Sequence, residues 1–471
     1  MRKGLLSLLS LVIETSNALT LRKADSPAVV GLRFNRQRND GILEMHRSPS
    51  SKRSSIVSEG LLNEYAMTLY TVNVTVGSSK QEIAVVLDTG SSDTWFNIPS
   101  SSFCQNIVND CERYGTYDNG TSETYTFLNH EFNITYKDGT KATGDYVKDT
   151  IQLGGVMLSQ FQFGIAEEST SNRGTLGLAF PALEATRTQY PNFPQALVEA
   201  GLIKSATYSL WMEDVTSHSG TILFGGVNTA KYLGKLQTIP VEPIGGVYTF
   251  FRVILTGLTL QQPASNTTKY PNTEFPILVT IDSGASVTYL PGSLTTKLYY
   301  SLGVTHNSMY GVPVLPCSMK DRDITVTFNF SGIRIDVSIH ELVLEGIDMD
   351  GDTVMCVFGI YTSTSGIPVL GDTFLRSTYV VFDLANREIS MAKANFNPGE
   401  DAILEIGTGK DAVPGATPVP SPATTALNMP TVVPLTTAAT GGSYHSIATG
   451  VEMNVKLLFA GLIVFLMSAF L

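Results

Sequence analysis

Apolar and polar residues follow one another in short runs along most of this chain, with turn-forming residues between the runs. The runs are rich in Val, Ile, Thr, Tyr and Phe, which is typical of β-strands. Residues 70–77 alternate as a strand, and 81–87 return as a second strand that leads into an acidic residue. Long amphipathic helical patterns are scarce. The pattern predicts an all-β fold, mainly β with short helices.

The second of these strands ends in Asp88 and turns at once on glycine. It predicts a buried strand that delivers one carboxylate into a tight loop, where Gly90 can adopt backbone angles closed to other residues. The same device returns at 278–284 around Asp282. An apolar pair closed by glycine follows each aspartate 89 residues later, at Gly177 and Gly371. This repeat indicates an internal duplication, two similar lobes that each contribute one aspartate.

The Asp-Thr-Gly-Ser-Ser run at 88–92 and the Asp-Ser-Gly-Ala-Ser run at 282–286 resemble the two active-site loops of the pepsin-like aspartic proteases. The resemblance extends from about Tyr65 to about Asn397. Residues 223–232 are similar to the fungal secreted and surface-anchored members, the candidapepsins and yapsins. It implies a bilobal acid protease fold, with two orthogonal β lobes and a substrate cleft between them.

The resemblance implies that Asp88 and Asp282 are the catalytic pair of an endopeptidase with an acidic pH optimum. Two carboxylates about 3 Å apart cannot both ionise cheaply, so they share one proton. The ionised one takes a proton from a bridging water, and the protonated one donates to the carbonyl of the peptide substrate. No metal or cofactor is required. The implied substrate contacts are Tyr136, Gly90, Gly284, Ser91, Thr89 and Ser283.

Residues 132–140 predict a hairpin from their own pattern, an alternating strand, an Asp-Gly turn and a returning strand. By resemblance it is the mobile flap that closes over bound peptide, with Tyr136 as its recurring tyrosine and Trp95 behind it. A solvent-exposed hairpin is the alternative. The family often has glycine after this tyrosine, whereas this chain has Lys137, whose charge would favour acidic substrate residues or point to solvent.

The two loops differ in their hydroxyl groups. Ser91 can donate to the carboxylate of Asp88, whereas Ala285 stands where the second loop of the family commonly has Thr or Ser. One donor fewer should leave the pair less acidic, because hydrogen bonds to a carboxylate lower its pKa. We therefore expect an optimum at milder acidity than in a relative with a hydroxyl at this position.

The sequence lacks the motifs of other site chemistries: His-Glu-x-x-His for zinc, Gly-x-Ser-x-Gly for a serine nucleophile and Gly-x-x-x-x-Gly-Lys for phosphate. The net charge of −11 argues against nucleic acid as a partner. We expect a monomer that acts on peptides or proteins. Two alternatives of other classes are a pepsin-like fold that only binds protein or carbohydrate, and a wall or adhesion protein.

The four cysteines lie inside the proposed enzyme and allow three connectivities. The lobe boundary separates the first two from the last two, so we predict the pairs Cys104–Cys111 and Cys317–Cys356. Five sequons suit a secreted chain, and a glycan on the flap strand at Asn133 would hinder closure. The sequons are at Asn73, Asn119, Asn133, Asn266 and Asn329.

The chain begins with a predicted secretory signal, in which Arg2 and Lys3 precede an apolar stretch and small residues lead to Ala18. The following segment has eight basic and three acidic residues and ends on Lys52 and Arg53. It predicts a prosegment cut at that dibasic pair, with a disordered basic arm as the alternative. Acid should loosen such a basic strip from an acidic body.

The end of the chain changes composition. Residues rich in Pro, Thr, Ala and Ser predict an O-glycosylated stalk that cannot bury enough surface to fold. Small residues, a polar spacer and an apolar tail predict a GPI-attachment signal with Gly442 as the attachment residue, and a tail-end transmembrane helix is the alternative. The predicted segments are signal 1–18, prosegment 19–53, lobes 54–243 and 244–398, stalk 399–443 and GPI signal 444–471.

Overall fold

The structure is a computed structural model that describes residues 28–38 and 68–429, with internal gaps at 107–108, 218, 264–266, 309–310, 349–353 and 365. Strands dominate the described residues and the α-helices are short, so the prediction of a mainly β protein is confirmed. The predicted signal peptide, the Lys52–Arg53 cleavage site, Asn266 and the GPI signal with Gly442 lie outside the described residues.

The first half of the described chain contributes twelve strands: β1 Val30–Arg38, β2 Thr68–Val76, β3 Gln81–Asp88, β4 Thr94–Asn97, β5 Thr126–Thr135, β6 Lys141–Leu153, β7 Val156–Ser169, β8 Gly174–Gly177, β9 Thr207–Met212, β10 Ser219–Phe224, β11 Gly226–Asn228 and β12 Tyr232–Pro240. The described α-helices are α1 Phe193–Glu199, α2 Gly292–Leu302, α3 Ile339–Leu342 and α4 Asp372–Leu375.

The second half adds seventeen described strands: β13 Arg252–Leu255, β14 Gly257–Gln261, β15 Thr267–Lys269, β16 Ile277–Ile281, β17 Thr288–Pro291, β18 Thr305–Asn307, β19 Val312–Pro316, β20 Thr325–Phe330, β21 Ile333–Ser338, β22 Val343–Asp348, β23 Val354–Phe358, β24 Ile360–Ser363, β25 Val369–Leu370, β26 Thr378–Asp383, β27 Glu388–Ala394, β28 Ile403–Glu405 and β29 Ala416–Pro418.

One sheet of fourteen described strands joins the two halves, in the order β29-β12-β27-β26-β9-β10-β1-β2-β3-β8-β4-β7-β6-β5. It does so because β26 pairs with β9 and β27 pairs with β12, all antiparallel. The rest of the second half forms three smaller sheets, β13-β16-β25-β17-β24, β15-β14-β20-β21 and β18-β19-β23-β22. A shared backbone ladder therefore connects the two lobes.

The alternation read from the sequence sets which face of each strand is buried. In β2, Val72, Val74 and Val76 are buried while Asn73 is exposed. The strand that leads to Asp282 is different, since β16 is buried at all five positions. A strand that is apolar on both faces lies between other layers, and this places its carboxyl end deep in the molecule.

Strand β1 comes from the predicted prosegment and lies inside the large sheet, between β10 and β2. Phe34 is fully buried and meets Tyr70 edge-on, with 5.2 Å between ring centroids. A Cβ at Gly220 of β10 would collide with the Phe34 ring, so glycine makes room for it. The first described residues are therefore integral to the body.

Residues 399–429, here called the C-terminal strap, lie against the body. Strand β28 pairs with β11, and β29 pairs in parallel with β12. Ile406 is fully buried, and Val413 and Val419 are each 7 % exposed. The predicted start of the stalk at 399 is therefore wrong for these residues, because open strand edges supply the hydrogen bonds that the composition alone did not suggest.

The strap ends beside the strand that carries the second aspartate. The Asn428 side chain accepts from Leu278 N at 2.7 Å and donates to Leu278 O at 3.1 Å, so its amide pairs with β16 as a neighbouring strand would. Ala426 and Met429 pack on the apolar group that contains Leu278. The strap thus contacts both lobes.

Both predicted disulfides are confirmed. Cys104 and Cys111 are bonded with their Cα atoms 5.3 Å apart, and Cys317 and Cys356 with theirs 4.9 Å apart. Each bond stays within one half of the chain, as the lobe boundary predicted. Within the described ranges, every helix is too short or too polar to cross a bilayer.

Candidate active site

The two predicted aspartates lie at the ends of buried strands. Asp88 is the last residue of β3, and Asp282 follows the last residue of β16. β3 runs parallel to β8 with Asp88 opposite Gly177, and β16 runs parallel to β25 with Ile281 opposite Leu370. Each aspartate therefore lies beside its own apolar-apolar-glycine segment, and the two halves repeat one arrangement.

The loops after the two strands hold each other through buried hydroxyl groups. Thr89 N donates to Ser283 Oγ at 3.1 Å, and Ser283 N donates to Thr89 Oγ1 at 2.9 Å. Ser283 Oγ also donates to Leu87 O at 2.8 Å. Both side chains are fully buried, so the prediction that Thr89 and Ser283 contact substrate is wrong for the side chains. They join the lobes at the base of the site.

The two carboxylates meet because both loops have glycine where they face each other. A Cβ at Gly90 would overlap the Asp282 carboxylate, and one at Gly284 would overlap the Asp88 carboxylate. Oδ1 of Asp88 and Oδ1 of Asp282 both lie within 3.2 Å of the Cβ position at Gly284, so the two carboxylates adjoin. Two acids 194 residues apart in the chain thus form one dyad.

Hydrogen-bond donors around the dyad are unequal. Gly90 N donates to Asp88 Oδ1 at 2.7 Å, and Gly284 N donates to Asp282 Oδ1 at 2.8 Å. Ser91 Oγ adds a short bond to Asp88 Oδ2. Ala285 stands at the matching place in the second loop and has no hydroxyl to offer. The predicted difference between the loops is present in the structure.

Burial raises the pKa of both dyad carboxyls, because the charged form loses its hydration. The charge of Asp282 raises the pKa of Asp88 further, whereas the Ser91 hydroxyl lowers it. The Gly284 amide and then the charge of Lys137 lower the pKa of Asp282. The pair therefore holds one proton over a wide range of pH, and its titration belongs to both residues.

The predicted flap is the hairpin of β5 and β6, and Tyr136 lies in its turn. Trp95 Nε1 donates to the Tyr136 hydroxyl at 2.8 Å. Trp95 is almost fully buried in an apolar group with Phe132 and Ile134 of β5. Trp95 is thus both a core residue and a contact of the flap.

The tip of the flap is the predicted Asp-Gly turn. Asp138 Oδ1 accepts from Thr140 N at 2.9 Å, and Gly139 has a φ of +89°, which L side chains rarely adopt. Next to the turn, the Lys137 ammonium lies 5.4 Å from the centre of the Phe250 ring in the second lobe. The flap therefore reaches across to the other lobe beside the dyad.

A buried acidic cluster behind the flap was missed by the sequence reasoning. Asp93 Oδ1 accepts from the Tyr146 and Tyr190 hydroxyls at 2.7 and 2.8 Å, and its Oδ2 accepts from Ala185 N at 2.7 Å. Burial raises the pKa of Asp93, and it raises the pKa of Glu184 nearby to about 9. The available signal was a charged residue that directly precedes the buried strand β4.

The described sequons differ in exposure. Asn73 and Asn133 are exposed on strands, whereas Asn119 and Asn329 are half-buried. Asn133 lies on the flap strand β5, where the sequence placed it. Glycosylation of these four asparagines remains a prediction.

The chain is similar in sequence to known aspartic proteases. The family model described as eukaryotic aspartyl protease matches residues 69–394. A probable aspartic-type endopeptidase of Aspergillus oryzae is 45 % identical over 91 % of this chain and 89 % of its own length. The aspartic proteinase yapsin-3 of Saccharomyces cerevisiae is 34 % identical over 79 % of this chain and 74 % of its own length.

Among solved structures, the aspartic proteinase from Irpex lacteus superposes with a TM-score of 0.58 at 18 % identity, over 78 % of this chain and 98 % of that one. This likeness shows a common fold, the pepsin-like one that the paired loops implied. The family match covers both loops and the flap. The chain therefore belongs to the eukaryotic aspartyl protease family and is an aspartic endopeptidase.

Proposed function

We propose that Asp88 and Asp282 are the catalytic dyad of this endopeptidase and that they activate one water between them. The observation that carries the proposal is that each carboxylate lies against the glycine of the opposite loop, where the two duplicated loops meet. The ionised carboxylate takes a proton from water, and the protonated one donates to the carbonyl of the scissile bond. The substrate is a peptide or an unfolded protein segment.

The shared proton explains why the reaction should be fastest in acid. With both groups ionised, no proton is available for the substrate carbonyl, and with both protonated, no base is available for water. Because burial raises the pKa of both carboxyls and the charge of Asp282 raises that of Asp88 further, the singly protonated form persists into mild acid. Gly90, Gly284 and Ser91 hold the carboxylates, and Tyr136 covers the substrate.

Replacement of each aspartate tests this assignment. We expect Asp88→Asn and Asp282→Asn each to lower kcat/KM on a quenched peptide by about a thousandfold or more, since each removes acid–base catalysis. Asp321→Asn, at an exposed aspartate, is the matched control. The parent should be inhibited by a statine-type mimic of the tetrahedral intermediate. Parental activity in either dyad variant would overturn the assignment.

We also propose that the chain is a secreted zymogen that is held at the cell surface by a GPI anchor. The support is the signal-like start, the dibasic pair Lys52–Arg53 and the small-residue site around Gly442 before an apolar tail. Phosphatidylinositol-specific phospholipase C should release from membranes the protein that is expressed from the full sequence. A variant truncated after Gly442 lacks the signal and should appear in the medium, and its retention on membranes would contradict the anchor.

Maturation at Arg53 would have two separable steps, cleavage of the peptide bond and dissociation of the prosegment. A cut after Arg53 would leave β1 hydrogen-bonded to β10 and β2, with Phe34 still buried in the hydrophobic core. Peptide-bond cleavage alone therefore does not remove the prosegment. Mass spectrometry of the secreted protein should show the cut after Arg53 in the parent and its loss in a Lys52→Ala, Arg53→Ala variant.

A further inference from the structure

The cleft contains two cations that have no acidic partner within 4 Å among the described residues, although the chain as a whole is acidic. They are Lys137 at the flap tip and Arg252 at the start of β13. Both lie over the ring of Phe250, with the Lys137 ammonium 5.4 Å and the Arg252 guanidinium carbon 4.4 Å from its centre. Phe250 thus joins the two charges into one group.

Arg252 is a buried charge with incomplete hydrogen bonding. Its side chain is 3 % exposed, and Nη1 donates to Thr249 Oγ1 at 2.8 Å, but no described group accepts from Nε. Burial lowers the pKa of Arg252 to about 10, so it remains protonated at any pH where the dyad can work. A buried guanidinium without a counter-ion is costly, and it is normally matched by a carboxylate or a phosphate.

The two cations adjoin the reacting centre. Arg252 pairs with Thr280 across β13 and β16, two residues before Asp282. Burial lowers the pKa of Lys137. The charge of Asp282 raises it, and the charge of Arg252 lowers it. Lys137 is therefore near both Arg252 and Asp282, while its side chain remains exposed to an incoming ligand.

We propose that Lys137, Arg252 and Phe250 form a substrate subsite that binds an ionised carboxylate of the peptide close to the scissile bond. The exposed Lys137 supplies a charge-assisted hydrogen bond, the buried Arg252 adds its positive charge nearby, and Phe250 supplies apolar surface for the methylene groups of a glutamate side chain. The inference rests on the proposed catalytic dyad and adds a preference to it.

A set of matched peptides tests the subsite. One quenched peptide is varied by placing Glu or Gln at each position in turn, and kcat/KM is measured at about pH 5.5, where a free Glu is mostly ionised. We expect one position near the scissile bond at which Glu exceeds Gln by about fivefold, the effect of a partly screened ion pair. Cleavage of every neutral peptide without any preference for Glu would overturn the subsite and leave the dyad intact.

Variants on the flap identify the residue responsible. Lys137→Met should remove the preference for Glu, and Lys137→Glu should replace it with a preference for Lys at the same position. Lys141→Met, on the strand that follows the flap turn, is the matched control and should keep the parental preference. If Lys137→Met and Lys141→Met give the same ratio of Glu to Gln cleavage as the parent, Lys137 does not contact the carboxylate and the proposal fails.

The source of the carboxylate is settled by the ends of the peptide. The same series is measured with a free and with an amidated C-terminus, because a terminal carboxylate has the same chemistry as a side chain. A preference that survives amidation assigns the subsite to Asp or Glu side chains, and one that requires the free end assigns it to the C-terminus of short substrates. Arg252→Gln, checked by its Tm against the parent, should weaken either preference.

Discussion

The loops around Asp88 and Asp282 share one backbone arrangement but stabilise their carboxylates by different means. Ser91 donates a hydroxyl to Asp88, whereas Ala285 offers none to Asp282; burial raises the pKa of Asp282, and the charge of Lys137 on the flap lowers it. A fixed group supports the first carboxylate, and a group on the flap supports the second. The position of the flap should therefore affect the pKa of Asp282.

The two loops also diverge just beyond the aspartates. Five residues after Asp88, the first loop reaches Asp93 and its buried hydrogen bonds with Tyr146 and Tyr190. Five residues after Asp282, the second loop reaches Val287, which is fully buried in an apolar group. Duplication has thus kept the geometry of the aspartate loops, which a polar network supports in one lobe and apolar packing supports in the other.

The largest effect should come from closing the gap between the loops. We expect Gly90→Ala and Gly284→Ala to lower kcat/KM by about a hundredfold or more, since each added Cβ would displace the opposite carboxylate. Gly399→Ala, where no atom lies within 4 Å of the new Cβ, is the control. Unequal losses would show which carboxylate tolerates displacement, and parental activity in both would contradict the close contact.

The polar network of the first lobe should matter for stability. Asp93→Asn is expected to lower the free energy of unfolding by about 3 kcal/mol, because the amide cannot accept all three buried donors and adds two of its own. Urea unfolding monitored by tryptophan fluorescence measures this. A loss below about 0.5 kcal/mol would show that the network is no more important than an ordinary surface contact.

The hydroxyl difference predicts opposite shifts in the pH profile. Ala285→Thr adds a donor to an ionised carboxylate and should move the acidic limb of kcat/KM to lower pH, whereas Ser91→Ala removes a donor and should move it higher. Each shift should be about one pH unit, since a hydrogen bond to a charged group contributes about 1.5 kcal/mol. Ala285→Val has the same shape as threonine without the hydroxyl, and an equal shift in that variant would exclude the hydroxyl as the cause.

The smallest effect concerns the strands that carry the aspartates. Four residues before Asp88, Ala84 N donates to Tyr114 O at 2.7 Å, and four residues before Asp282, Leu278 N donates to the Asn428 side chain. Asn428→Ala should lower the free energy of unfolding by about 1 kcal/mol. Asn428→Asp keeps the acceptor and loses the donor, so its Tm should lie between those of the parent and the alanine variant.

The sequence was sufficient wherever the signal was local. Both aspartate loops, the Asp-Gly flap turn and the disulfide pairing were predicted, because each depends on a short motif or on the order of residues along the chain. The role of Ser91 also followed from spacing alone. These features need little knowledge of how distant segments meet.

The sequence was insufficient wherever partners are far apart. Asp93 lies 53 and 97 residues from its partners Tyr146 and Tyr190 in the chain. Arg252 and Lys137 come from different lobes and meet only in the folded protein. The sequence predicts a stalk from residue 399 because the chain beyond it is rich in Pro, Thr, Ala and Ser. A few apolar residues such as Ile406 and the Asn428 amide are enough when β11, β12 and β16 have edges free for hydrogen bonding.

The strap also sets how far the enzyme can move if Gly442 carries the anchor. A stalk that began at residue 399 would allow a tether of roughly 150 Å, but the body extends to residue 429 and leaves thirteen residues, which span at most about 45 Å. Such a short linker would confine proteolysis to proteins that come within a few nanometres of the lipid surface.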